Sequence, residues 1–159
     1  MQHSYNSKFM LEAINLANQA IEVKNGGPFG AVVVRDNEIV GRGRNQVTIN
    51  NDPTAHAEVN AIRDACANLN TFKLDACVIY TSCEPCPMCF GAITWARIEK
   101  IYYAAESSDA ANAGFDDAFI YRELSLPKDK RAIPSEQHDR DHANKTFDSW
   151  INFKEKIEY

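Results

Sequence analysis

Between Ser7 and Lys24 the apolar residues Phe9, Met10, Ala13, Ile14, Ala17, Ala20 and Ile21 return at steps of three and four, the period of one buried helix face. Asn6 or Ser7 supplies a cap for such a helix, and the Asn25-Gly26-Gly27-Pro28 run ends it. Residues 29–35 and 39–47 are rich in strand-forming side chains and flank the turn residues Asp36 and Asn37, which predicts a hairpin. A loop over 48–54 leads to a second helix over about 55–69. A strand follows at 77–81, Pro87 opens a third helix ending near Arg97, and a fourth strand covers 101–105. Helices alternating with strands define the α/β class, a sheet covered by helices. Residues 124–144 break the pattern. They are charged and hold Pro127 and Pro134, so they read as an extended or loosely structured crossing. Over 145–159 a last helix and tail carry Phe147, Trp150, Ile151 and Phe153, an apolar face that needs a surface on its own domain or on a neighbouring subunit.

Length and composition narrow the class. The 159 residues suit one domain, 1–159, and 45% hydrophobic with 25% charged residues is ordinary for a globular chain with its own core. The longest aliphatic run, residues 31–34, is far too short to cross a bilayer, and the first 21 residues are too polar for a secretory signal, so a soluble cytoplasmic protein with no membrane partner is expected. The formal charge of -5 argues against nucleic acid, whose binding rests on neutralising phosphates with Lys and Arg. A small neutral substrate fits better.

Candidate chemistry lies in the cysteines and one histidine. Five cysteines without a secretion signal argue against a disulfide framework, and the spacing of Cys83, Cys86 and Cys89 suggests a metal. Zinc takes imidazole nitrogen and thiolate sulfur in tetrahedral geometry, and Cys86 and Cys89, three apart on a helix's first turn, face the same side. His56 opens the second helix as Cys86 opens the third, so both N-termini can point into one cavity, where their positive ends favour thiolates. Three ligands leave a fourth position for water. Glu58 is placed to take a proton from that water, a task two charge-neutralising thiolates make necessary. Two other readings stay open: a redox CxxC pair, which explains neither His56 nor Glu58, and a closed structural zinc with Cys83 as fourth ligand in a non-catalytic module. Cys66 and Cys77 read as small core residues, and His3, His138 and His142 as solvated.

His56-Ala57-Glu58 followed by Pro85-Cys86-Pro87-Met88-Cys89 has the H-x-E and P-C-x-x-C order of zinc nucleobase deaminases. With the segments 25–31, 51–58, 80–89 and 113–121, the chain resembles the cytidine deaminase superfamily and, within it, the small bacterial guanine deaminases, along nearly its whole length. The resemblance implies a three-layer α/β/α fold with a central five-stranded sheet, and a homodimer with exchanged C-terminal segments. It implies one zinc per subunit on His56, Cys86 and Cys89, with Glu58 shuttling protons. Phe29 would stack on a purine base, Asn45 would hydrogen-bond it, Asp117 would recognise it and carry a second proton, and Tyr159 would close the neighbouring subunit's pocket. Asp116 could take the role of Asp117, Phe29 could be plain core, and Asn45 a strand-end turn residue. Arg42 and Arg44, alternating with glycine, read as solvent-facing. The implied reaction is hydrolytic deamination of guanine to xanthine and ammonia. Its rivals are a tRNA adenosine deaminase, which should carry a basic groove, and a deaminase of another aminated ring such as cytosine or a triazine.

Overall fold

The protein is described by a computed structural model over residues 4–24 and 26–158. Helix α1 (Ser7–Glu22) starts at Asn6, whose side chain accepts a hydrogen bond from the Lys8 N–H at 3.0 Å. Its Phe9, Met10, Ala13, Ala17 and Ala20 are buried as the periodicity predicts, whereas Ile21 in the last turn is exposed. Strands β1 (Gly30–Arg35) and β2 (Glu38–Arg44) form the hairpin. Asp36 and Asn37 both adopt left-handed backbone, φ 50° and 63°, the two-residue turn whose twist matches the flanking strands. The expected loop contains a short helix, α2 (Val47–Asn50), ended by Asn51 in the left-handed region. Helix α3 (Ala57–Leu69), strand β3 (Cys77–Cys83), helix α4 (Pro87–Trp95) and strand β4 (Lys100–Ala105) follow in the predicted order.

The sheet runs β2-β1-β3-β4, with β1 antiparallel to both neighbours and β3 parallel to β4 across the α4 crossover. It has four strands, which corrects the expectation of five. After β4 the chain turns helical at once: α5 (Ser107–Asn112) is started by a capping box between Glu106 and Asp109, and α6 (Ala118–Ser125) follows, so no fifth strand forms among the described residues.

Residues 1–117 and 118–159 are two compact units. In the first, Val32, Val34, Val78 and Tyr80 pack with Phe9, Met10 and Ala13 of α1 on one sheet face. Ala31, Val33, Cys77 and Ile79 pack with Ala57, Ala61 and Ala65 of α3 and Ile93 of α4 on the other. The result is the expected α/β/α layering, with β1 covered on both sides.

Glycine decides how closely α3 approaches the sheet. A Cβ on Gly43 would lie 2.0 Å from the Ala57 carbonyl oxygen, and one on Gly41 2.4 Å from that of Ala61. Helix and strand therefore meet backbone to backbone, while Arg42 between them is exposed. From this position a polar row on α3 reaches the outer edge of β2. Asn60 Nδ2 donates to the Arg44 carbonyl at 2.9 Å, Asp64 Oδ2 accepts from the Arg42 N–H at 2.8 Å, and Asn68 Nδ2 donates to the Val40 carbonyl at 3.0 Å. Those contacts occupy backbone groups that an edge strand otherwise offers to a foreign strand.

In the second unit the expected crossing is shorter than predicted. Helix α6 runs to Ser125, a single 3₁₀ turn occupies Lys128–Lys130, and helix α7 begins at Arg140 and runs to Asn152. The irregular link is tied locally: the Ala132 N–H donates to Glu123 Oε2 at 2.6 Å, and Arg131 Nε to the Leu126 carbonyl at 3.2 Å. Phe147, Trp150 and Ile151 of α7 and Phe153 at its cap are exposed. None of the described helices is long and apolar enough to cross a membrane.

Candidate metal centre and active site

Two helix starts build the centre. His56 is the N-cap of α3 and Cys86 the N-cap of α4, and neither side chain caps its own helix, which leaves imidazole and sulfur free for another partner. Pro87 at the first position of α4 fixes the turn that places Cys89 one turn on. His56 Nδ1 lies 3.6 Å from Cys86 Sγ and 3.4 Å from Cys89 Sγ, and the ligand atoms of all three residues fall within 4.8 Å of one another. A tetrahedral ion with bonds of about 2.1 Å to nitrogen and 2.3 Å to sulfur sets an N···S separation of about 3.6 Å, so the donor set fits zinc. Cys89 is fully buried, and His56 and Cys86 are half-buried, which keeps one side of the cluster accessible.

Electrostatics agree. The Cys86 thiol is held down to about 4, by a hydrogen bond from the Cys89 thiol and another from His56, while that same donation to Cys86 and burial push Cys89 up. A bound dication would hold both sulfurs as thiolates. The bond with Cys86 raises His56. Glu58, in the first turn of α3, is 7% exposed, and burial pushes its carboxyl above the usual range despite a hydrogen bond with Cys89. It is a buried carboxyl touching the metal set.

Cys83 stands apart. Its thiol donates to the Glu106 carbonyl at 3.5 Å, and burial pushes it up to about 11, so it packs against the turn into α5 and is no member of the cluster. Cys77 is buried core and Cys66 packs beside it. All five cysteines are free.

Of the other predicted residues, Phe29 and Asn45 meet at the loop before β1. The Asn45 N–H donates to the Phe29 carbonyl at 3.0 Å, and Asn45 Oδ1 accepts from the N–H groups of Gly27 and Val47 at 3.1 and 3.3 Å. The Asn45 side chain, 6% exposed, therefore holds the loop with its oxygen. Phe29 is half-buried against the core and meets Phe115 edge to face at 5.0 Å. Asp117 is half-buried; burial foremost, and then the Cys86 thiolate, raise its carboxyl, whereas Asp116 is exposed. Tyr159 lies outside the described residues. Sequence reasoning missed Asn60, four residues after His56 and hence on the same helix face, and the glycines of β2 that bring α3 against the strand.

A helix-flanked sheet holding a histidine and two cysteines at two helix N-termini, with a buried glutamate beside them, defines a zinc-dependent deaminase-type domain. The family model described as the cytidine and deoxycytidylate deaminase zinc-binding region matches residues 3–105, and the chain belongs to that family. Over 151 residues it is 53% identical to the guanine deaminase of Bacillus subtilis, covering 95% of this chain and 97% of that protein. The X-ray structure of guanine deaminase from Bacillus subtilis matches it with a TM-score of 0.94 at 51% identity, covering 98% of this chain and 99% of that one. The tRNA-specific adenosine deaminase of Aquifex aeolicus is 43% identical over 97 residues, covering 61% of this chain and 64% of that protein.

Proposed function

We propose that the protein hydrolyses guanine to xanthine and ammonia. The observation that carries this reading is the buried Glu58 against the His56, Cys86 and Cys89 cluster, in a chain that aligns over 95% of its length with a guanine deaminase. Zinc held by those three residues supplies a Lewis acid that acidifies and aligns a water. Glu58 accepts a proton from the attacking water and returns protons first to a ring nitrogen and then to the exocyclic amine. The water oxygen stays on the ring carbon that carried the amine, and ammonia leaves. Burial raises the proton affinity of Glu58, which suits a group that must take a proton from water and hold it until the next transfer.

In this reading the face of Phe29 stacks on the purine, steadied by its T-shaped contact with Phe115, and the Asn45 amide donates to a base oxygen or nitrogen. Asp117 accepts from the ring N–H and amine edge that guanine presents and adenine lacks, and its raised carboxyl serves as a second proton carrier. Tyr159 reaches the pocket of a partner subunit in a homodimer with exchanged C-terminal segments; the exposed Phe147, Trp150 and Ile151 of α7 give such an exchange an apolar surface to bury. A single domain over 1–159, completed by its partner, is the working unit, and five free cysteines suit the reducing cytoplasm.

The test is ammonia release from guanine, adenine, cytosine, an aminated triazine and an adenosine-containing tRNA stem-loop by zinc-loaded protein, with and without a chelator. Chelator-sensitive release from guanine above the rest is expected. Preference for the stem-loop would replace this reading with tRNA deamination, and no release from any of them would leave a structural-zinc module.

A further inference from the structure

Two peptide groups stand immediately before residues on which the site depends, and one side chain holds both. The Arg44 carbonyl, which leads into Asn45, accepts from Asn60 Nδ2 at 2.9 Å. The Ala55 carbonyl, which leads into the metal ligand His56, accepts from the same nitrogen at 3.2 Å. Gln46 completes the knot: its Oε1 lies 3.3 Å from that nitrogen, and its backbone N–H donates to the Ala55 carbonyl at 2.9 Å.

The Arg44–Asn45 peptide is gripped on both edges, because its carbonyl is held by Asn60 and its N–H donates to Phe29. A peptide group is planar, so fixing both polar atoms fixes the plane and, with it, the position of the Asn45 Cα from which the side chain leaves. On the other side, the Ala55 carbonyl sets the entry angle of the chain into His56. Asn60 reaches both because α3 lies backbone to backbone against Gly43.

We propose that Asn60 is a positioning residue that locks the metal ligand His56 and the loop-holding Asn45 into one rigid unit. It acts only through the two peptide groups. The part concerning His56 rests on geometry alone, and the part concerning Asn45 rests on the proposed guanine reading.

The structure contains its own control. Asn68, two turns further along α3, makes the same kind of bond to the same strand, Nδ2 to the Val40 carbonyl at 3.0 Å, but far along the helix from His56. Asn60→Ala and Asn68→Ala each remove an amide that fastens α3 to β2. Both variants would be purified as full-length chains, checked by far-ultraviolet circular dichroism, loaded with zinc, and measured for zinc retention against a graded chelator and for guanine kinetics. For Asn60→Ala the expectation is a roughly tenfold loss of zinc affinity, the order found when a group that orients a ligand is removed. Its KM for guanine should rise about tenfold with kcat changed much less, the mark of a lost binding geometry. Asn68→Ala should keep wild-type values of both.

Wild-type zinc affinity or wild-type KM in Asn60→Ala, or equal shifts in both variants, would overturn the proposal and reduce Asn60 to a bolt between helix and strand. Should the alanine variant not fold, Asn60→Ser, which keeps a small polar group, is judged by the same criteria. If the wild-type protein releases no ammonia from guanine, the functional reading fails, and the chelator comparison alone decides the role of Asn60.

Discussion

Gly43→Ala puts a single methyl group where the structure has no room, and the consequence falls on the metal centre. The new Cβ would lie 2.0 Å from the Ala57 carbonyl oxygen and 2.4 Å from the Ala61 nitrogen. Both are backbone atoms of a regular helix and cannot rotate aside. Clearing the clash requires β2 and the first turns of α3 to part by about 1 Å. That turn carries His56 and Glu58, while Cys86 and Cys89 ride on α4, so the shift separates one metal ligand from the other two. Metal bonds tolerate about 0.2 Å of error, far less than the displacement. Overpacking of this kind costs roughly 1–3 kcal/mol, and in a chain of this length each kcal/mol lowers Tm by about 2–4 °C. Gly91→Ala is the matched control: it lies within α4, close to Cys89, and its Cβ would meet nothing within 4 Å, so alanine there should add about 0.5–1 kcal/mol by the ordinary helix preference. Scanning calorimetry and a chelator titration of both zinc-loaded variants should show Gly43→Ala losing Tm and zinc affinity while Gly91→Ala keeps or gains Tm. Equal behaviour of the two would refute the argument that the glycine gap sets the ligand geometry.

Other predictions follow from single contacts. Cys83→Ala should keep a full equivalent of bound zinc by elemental analysis, because its thiol serves the Glu106 carbonyl; a loss of one equivalent would restore the closed four-ligand site. Tyr80→Phe removes the acceptor of the Asn6 N–H at 3.1 Å and should cost about 1 kcal/mol in urea unfolding at pH 8. Burial raises the Tyr80 phenol in the folded chain, so its contribution is complete below the ordinary value near 10 and is lost as pH rises through the raised one. The gap between wild type and Tyr80→Phe should therefore narrow in alkali, and a gap that widens would reverse the sign. Asp117→Asn should reduce guanine turnover at least tenfold with zinc unchanged, and Asp116→Asn much less; the opposite ranking would move the role to the exposed neighbour.

Much of this was legible in the residues because the site is assembled from local signals. His56 and Cys86 mark helix starts, Pro87 fixes one of them, and the spacing of Cys86 and Cys89 puts two sulfurs on one side of a turn. Asp36-Asn37 gave the hairpin by the same logic. What could not be read depends on contacts between distant segments. Nothing in the run from Gly41 to Arg44 states that the glycines face Ala57 and Ala61 of the next long helix, or that Asn60 reaches back to the carbonyls of Arg44 and Ala55. The strand count failed for a related reason: the expectation came from resemblance, while Glu106 and Asp109 cap a helix directly after β4. The charged run after Leu124 concealed the early start of α7 because Arg140 and Asp141 in its first turn look like linker residues.

The central claim is that Glu58 and the zinc held by His56, Cys86 and Cys89 together deaminate guanine, and Glu58→Gln tests it most directly. Gln keeps the size of the side chain, leaves all three proposed ligands in place and cannot carry the proton. Zinc content, and xanthine and ammonia formed from guanine, should be measured on the same samples of wild type and variant. The account predicts equimolar xanthine and ammonia from the wild type, and a variant with a full equivalent of zinc whose turnover is lower by roughly 100- to 10,000-fold. A zinc-loaded Glu58→Gln protein that turns over guanine at the wild-type rate would contradict it.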